Sequence, residues 1–149
     1  MSTVTHAPFE ATYETTHVWL KELRQELGTD DDRRAYHALR AVLHALRDRL
    51  TVAEAADLGA QLPMLIRGLY YEGWTPAEKP IKERRREDFL GHITTAFPDD
   101  LDVYPEGIVW AVFKVLLKHV STGEIRDIKG LLPEEIRSLW PFGETTSGE

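Results

Sequence analysis

Thr51-Val-Ala-Glu54-Ala-Ala-Asp57-Leu58 and Ser121-Thr-Gly-Glu124-Ile-Arg-Asp127-Ile128 read as one helix start written twice, 70 residues apart. The register holds beyond them, where Leu62-Pro63-Met-Leu-Ile66-Arg67-Gly-Leu69-Tyr70 falls on Leu132-Pro133-Glu-Glu-Ile136-Arg137-Ser-Leu139-Trp140. Without a gap, 7 of the 21 residues at positions 50–70 are identical to their counterparts at 120–140. Self-similarity of this kind marks a repeated supersecondary unit. In each copy the hydroxyl residue and the glutamate three positions on form a capping box, in which the hydroxyl accepts from the third amide and the glutamate reaches back. The proline that follows suits the first turn of the next helix, where its missing N–H has no partner to lose.

Working outward from this stretch, the apolar period is helical. Phe9, Tyr13, Thr16, Leu20, Leu23 and Leu27 step by threes and fours toward Gly28, a helix stop. Asp30-Asp31-Asp32 supplies carboxylates for the next helix start, and Tyr36, Leu39, Leu43, Leu46 and Leu50 form that helix's stripe. Upstream pairs also correspond at the same offset: Trp19-Leu20 with Phe89-Leu90, and Ala41-Val42 with Ala111-Val112. Residues 63–71 are apolar on most sides, which predicts a helix buried between the two copies. No alternating strand pattern with hairpin chemistry occurs. The expectation is an all-α fold of about eight helices. They form two tandem pseudo-symmetric four-helix halves, about 12–72 and 82–142, packed into one domain spanning 1–149. Gly73-Trp74-Thr-Pro76-Ala-Glu-Lys-Pro80 opens the joining loop 73–81, and tails 1–8 and 143–149 are expected to fray.

The 149 residues carry a net charge of −7, unevenly spread. Residues 1–75 hold 8 basic and 11 acidic side chains, 76–88 hold 5 and 4, and 89–149 hold 5 and 10. An acidic body repels phosphate, which makes nucleic acid and anionic membranes poor partners. No run approaches the roughly 18 apolar residues of a membrane span. Cysteine is absent, which removes disulfides and thiolate chemistry. With no basic n-region or apolar h-region in Met1–Pro8, a cytoplasmic location is expected.

The stretch Ala55-Ala-Asp57-Leu58-Gly-Ala-Gln61-Leu62-Pro63-Met-Leu-Ile66-Arg67-Gly68-Leu69-Tyr70-Tyr71-Glu72-Gly73-Trp74 continues through Pro76, Lys79-Pro80, Lys82 and Arg86-Glu-Asp-Phe89-Leu90. It resembles the bacterial family catalogued as domain of unknown function 2267. The resemblance covers about residues 12–141. It implies a small, soluble, helical protein, and it implies no catalytic residues and no cofactor.

Each candidate for chemistry has a plainer reading beside it. Glu14-Thr-Thr-His17 has the spacing of a di-iron ligand pair, but a di-iron site needs a second Glu-x-x-His, and none follows. Asp100-x-Asp102 opens like a calcium loop, but Tyr104 and Pro105 occupy the next ligand and glycine positions. No metal ligand is assigned. There is no nucleophile elbow and no phosphate-cradling glycine loop. His37, Arg40 and His44 share one helical face, most simply a solvated one. Residues 51–63 have a helix-turn-helix cadence, but the second helix offers only Arg67 to bases, and its counterpart opens with Glu134-Glu135. Lys82-Glu-Arg-Arg-Arg86-Glu-Asp88 is the basic cluster, and i,i+4 pairing on a helix neutralises much of it. If it binds an anion or partner, Trp74, Lys79, Lys82, Arg85 and Arg86 are the candidates. Tyr71 and Phe142 are candidate partner aromatics.

These readings favour a non-catalytic module that binds a protein partner or itself, with a homodimer as one form. An anion or small-molecule pocket between the halves is the alternative, and a nucleic-acid regulator is disfavoured on charge.

Overall fold

The computed structural model describes residues 7–141. Eight α-helices and no strands occur among the described residues. They are α1 (Ala7–Leu27), α2 (Asp32–Arg47), α3 (Val52–Ala60), α4 (Met64–Tyr71), α5 (Arg86–Thr95), α6 (Pro105–His119), α7 (Thr122–Leu131) and α8 (Glu134–Arg137). A 3₁₀ turn, Pro76–Glu78, lies in the joining segment. Ala7 and Pro8 already belong to α1, while the rest of the expected tails falls outside the described residues.

The helix boundaries follow from local chemistry. Gly28 takes φ +73°, and the amide of Thr29 then reaches back to the Arg24 carbonyl, closing the end of α1. Asp31 caps α2 by accepting from the Arg33 amide. Thr51 Oγ1 accepts from Glu54 N at 3.1 Å, and Ser121 Oγ accepts from Glu124 N at 3.2 Å. Pro63 and Pro133 stand one residue earlier than expected, as the caps themselves, and their carbonyls accept from Arg67 N and Arg137 N. At both positions the arginine side chain turns back onto the preceding helix. Arg67 donates to the carbonyls of Gly59 and Leu62, and Arg137 to those of Lys129 and Leu132.

Helices α2 and α6 lie at the centre. Ala35, Ala38, Leu39, Val42, Leu43 and Leu46 of α2 are buried, as are Ile108, Val109, Val112, Phe113, Val115 and Leu116 of α6. The buried side chains of all the helices join one core. At about 25 cal/mol per Å² of apolar area, that burial is the main drive for the helices to assemble. The first four helices meet the last four through α1 on α6, α2 on α5 and α6, and α3 on α7. Trp140, past α8, stacks on Phe113 at 3.8 Å between ring centroids.

Two packing expectations are corrected here. Helix α4 does not lie between the halves; it packs on α1, α2 and α3. Only Ile66 and Tyr70 of α4 are buried, and Met64 and Leu65 are 47% and 48% exposed. An eight-residue helix resting on one layer can hide one face, whatever the composition of the other. Of the α1 stripe only Leu23 is buried, with Leu20 and Leu27 partly so, while Trp19, outside the stripe, is buried and Phe9 and Tyr13 are exposed, because the helix extends past the layer that covers its other end.

Candidate functional site

The basic cluster is dispersed. Residues 79–85 form no helix, so the expected i,i+4 pairing of Lys82, Glu83 and Arg84 with α5 is absent. The segment is held along α2 instead. Ile81 N donates to Asp48 O at 2.9 Å, and Glu83 takes the buried Arg49 guanidinium and lies 3.0 Å from His92 Nε2. Arg49 also lies over the Phe89 ring. Arg85 pairs with Glu87 on the surface, and Lys79 donates to Thr75 Oγ1. Arg86 opens α5: its guanidinium bonds Glu106 and Ser138, and its amide donates to Glu135. Of the five candidates, Lys82 lines a cleft of about 320 Å³ with Arg49, Glu83 and Arg84, and Arg86 lines a separate one of about 440 Å³ with Glu106 and Trp110. Trp74 lies elsewhere, half-buried against Tyr71 at 5.3 Å. Tyr71 packs against Tyr70 and over Gly59, so its ring is part of the α3–α4 contact. Phe142 lies outside the described residues.

The His37–Arg40–His44 face also separates. Arg40 pairs with Glu72, and His44 is partly buried with Nε2 2.8 Å from the Leu69 carbonyl. Burial lowers the pKa of that imidazole, so it donates as a neutral ring. Glu14 and His17 are exposed, and His17 packs edge-on against Tyr13. Asp100 caps Asp102 N and pairs with Arg34.

Two features were not anticipated. The first is a carboxylate cluster where α3 meets α7. Glu54, Asp57 and Glu124 bring one oxygen each to within 4.8 Å of one another. Neither glutamate completes its capping box. Ser121 N donates to Gln61 Oε1 at 2.9 Å, and the Oε2 atoms of Glu54 and Glu124 are buried and served by no N–H or hydroxyl. Glu124 is only 8% exposed. Its pKa is pushed up to about 8, by burial first and then by Glu54, Asp57 and Asp127. The second is an apolar surface shared by α1 and α4. Leu65 N donates to Thr12 Oγ1 at 3.3 Å, which sets exposed Met64 and Leu65 beside the N-terminal turns of α1, where Phe9 and Tyr13 are 55% and 60% exposed.

With this geometry in view, comparison with known proteins gives one family. A family described as "Uncharacterized conserved protein (DUF2267)" matches residues 16–139. The chain belongs to the DUF2267 family. No curated protein matches it. The DUF2267 description assigns no chemistry, so site assignment in this chain rests on its own residues.

A sequence signal for the carboxylates did exist. Glu54 with Glu124, and Asp57 with Asp127, are identical pairs at the 70-residue offset. Capping accounts for the glutamates without asking whether α3 and α7 touch. The apolar surface had no comparable signal, because period alone does not say where a covering layer ends.

Proposed function

We propose that this chain is a non-catalytic binding module whose contact face is the outer side of α4 with the N-terminal half of α1. A second copy of the chain is its first occupant. The observation that carries this reading is the exposure of Tyr13, Met64 and Leu65, on two helices joined by the Thr12–Leu65 bond. Exposed apolar side chains grouped on one face, unlike scattered ones, are the kind that contact surfaces use. A twofold dimer uses one patch twice, so a self-complementary apolar face needs no second site.

A second reading is favoured by the cleft lined by Arg49, Lys82, Glu83 and Arg84 between α2 and the α7–α8 turn, where Glu83 engages Arg49 and leaves Lys82 and Arg84 as its cations. An anion would bind there. Nucleic-acid recognition draws less support. Arg67, the one base-reading side chain on α4, is held by the Gly59 and Leu62 carbonyls, and Glu135 of α8 accepts from Arg86 N. The identical pairs at the 70-residue offset, the paired hydroxyl caps and the repeated Arg67 and Arg137 bonds support an internal duplication. A chain with no cysteine suits a reducing cytoplasm. Among the described residues no helix is long and apolar enough to cross a membrane.

Sedimentation velocity over a wide concentration range tests the leading reading. The mass should rise from 17.0 kDa toward twice that value, and Leu65→Glu should hold it at the monomer without lowering the melting temperature. A constant monomer mass for the native chain overturns self-association. A thermal shift with phosphate or nucleotides that Lys82→Glu abolishes would favour the anion cleft instead.

A further inference from the structure

The carboxylates at the α3–α7 contact are arranged as ligands are, and capping does not explain them. Glu54 and Glu124 are each three residues past a hydroxyl cap, and those hydroxyls already serve the Glu54 and Glu124 amides. Ser121 N, which Glu124 would reach in a capping box, is served by Gln61. What remains is a pair of buried oxygens, Glu54 Oε2 and Glu124 Oε2, that no N–H or hydroxyl serves; the two glutamate carboxyls lie within hydrogen-bonding reach of each other. Asp57 adds a third carboxylate from the solvent side, and the charged groups acting on Glu124 are Glu54, Asp57 and Asp127, all acidic. The buried Tyr70 hydroxyl donates to Ala55 O. Burying both charges without a compensating partner is strongly unfavourable, so these oxygens hold either a shared proton or a positive centre between them.

The spacing admits such a centre. Oxygens bound to a common calcium at about 2.4 Å are at most about 4.8 Å apart, and the three ligand oxygens lie within that limit. We propose that Glu54, Asp57 and Glu124 form a site for a hard divalent cation, calcium or manganese by class, that fastens α3 to α7. The donor set is all oxygen, with no imidazole or thiolate, which selects against zinc and copper. Asp57 is exposed, so water completes the coordination on that side. Because Glu54 belongs to the first four helices and Glu124 to the last four, the ion ties the two sets together. The site is independent of the α1–α4 contact face.

The test uses the full chain stripped with EDTA, then titrated separately with calcium, manganese and magnesium chlorides. Melting temperature and calorimetric heat are followed, together with loss of the free Mn²⁺ resonance signal. The native chain should bind one Ca²⁺ or Mn²⁺ and melt several degrees higher when loaded. Glu124→Gln and Glu54→Gln should weaken binding at least about tenfold. Both should melt at or above the native temperature in EDTA, because each glutamine keeps the side-chain volume and brings no charge into the buried contact, so lost binding cannot be lost folding. The absence of heat, melting shift and Mn²⁺ uptake at millimolar metal overturns the proposal. So does binding that neither glutamine variant weakens. If Glu124→Gln raises the melting temperature at pH 8 while the native chain ignores every metal, the pair shares a proton only, and the cation site is refuted.

Discussion

Replacing Arg47 with methionine removes three donated hydrogen bonds from a closed site while keeping most of the side-chain stem. Arg47 is 4% exposed. Its Nη1 donates to Tyr70 O at 2.7 Å and Glu72 O at 2.9 Å, and its Nε to Asp48 Oδ1 at 2.9 Å. The two carbonyls close the C-terminal end of α4, where no intrahelical donor remains for them and a cation suits the helix dipole. An orphaned buried carbonyl costs about 1–3 kcal/mol. The Tyr70 carbonyl is closed to water and falls at the upper end of that range; the Glu72 carbonyl is only partly buried and falls at the lower end. Removing the buried charge returns part of its desolvation cost, so the net loss should be about 2–3 kcal/mol. For a chain of this length that corresponds to a melting temperature lower by about 5–10 °C. Urea unfolding followed by far-UV circular dichroism measures it, and the denaturant slope should be unchanged. Arg47→Lys should recover less than half of the loss, because an ammonium lacks the guanidinium fork. A change below about 0.5 kcal/mol, the range of ordinary surface substitutions, would refute the role given to Arg47 in holding α4.

Three further outcomes follow from the same packing. The folded state keeps the buried His44 ring neutral, whereas the unfolded chain takes up a proton below 6.5, so stability is complete above that pH and declines as the pH falls through it. His44→Gln retains a donor to Leu69 O and should flatten that decline in urea titrations between pH 5 and 8. Gly59→Ala places a methyl 2.7 Å from Tyr71 Cζ and should cost about 1–3 kcal/mol, most of it recovered in the double variant with Tyr71→Leu. Arg67→Ala and Arg137→Ala each remove two bonds to helix-end carbonyls, and each should cost about 1–2 kcal/mol. Their effects should add in the double variant, because no contact joins the two arginines.

Much of the fold could be read directly from local chemistry. The hydroxyl caps at Thr51 and Ser121, the prolines at 63 and 133, and the glycine stop at 28 act within a few residues of where they stand, so their effect is written in sequence. The stripe of α2 was legible at Leu39, Leu43, Leu46 and Leu50, all buried, but not at Tyr36, which is 41% exposed near the start of the helix. What local chemistry does not encode is which layer ends where. Tyr13 and Leu65 carry the same apolar signal as Leu23 and Ile66, yet only the latter pair meets a neighbouring helix closely enough to be buried. The start of α5 was misplaced for a related reason. The charges at 82–86 suit a helix, but Glu83 and Ile81 are drawn to Arg49 and Asp48 on α2, and the backbone stays non-helical until Arg86. The carboxylate cluster needed the one fact that no window of sequence contains, the contact of α3 with α7.

The proposal that the α1–α4 face is a contact between copies can be tested by distance. Because the chain contains no cysteine, Leu65→Cys supplies a unique thiol for a nitroxide label. Double electron–electron resonance on that variant should give a short, well-defined distance between chains. A control label at Leu101, which is 95% exposed and lies beyond α5, should give a much longer one. If the Leu65 label shows no inter-chain coupling while the chain remains folded, the face is not shared between copies, and the binding reading built on it fails.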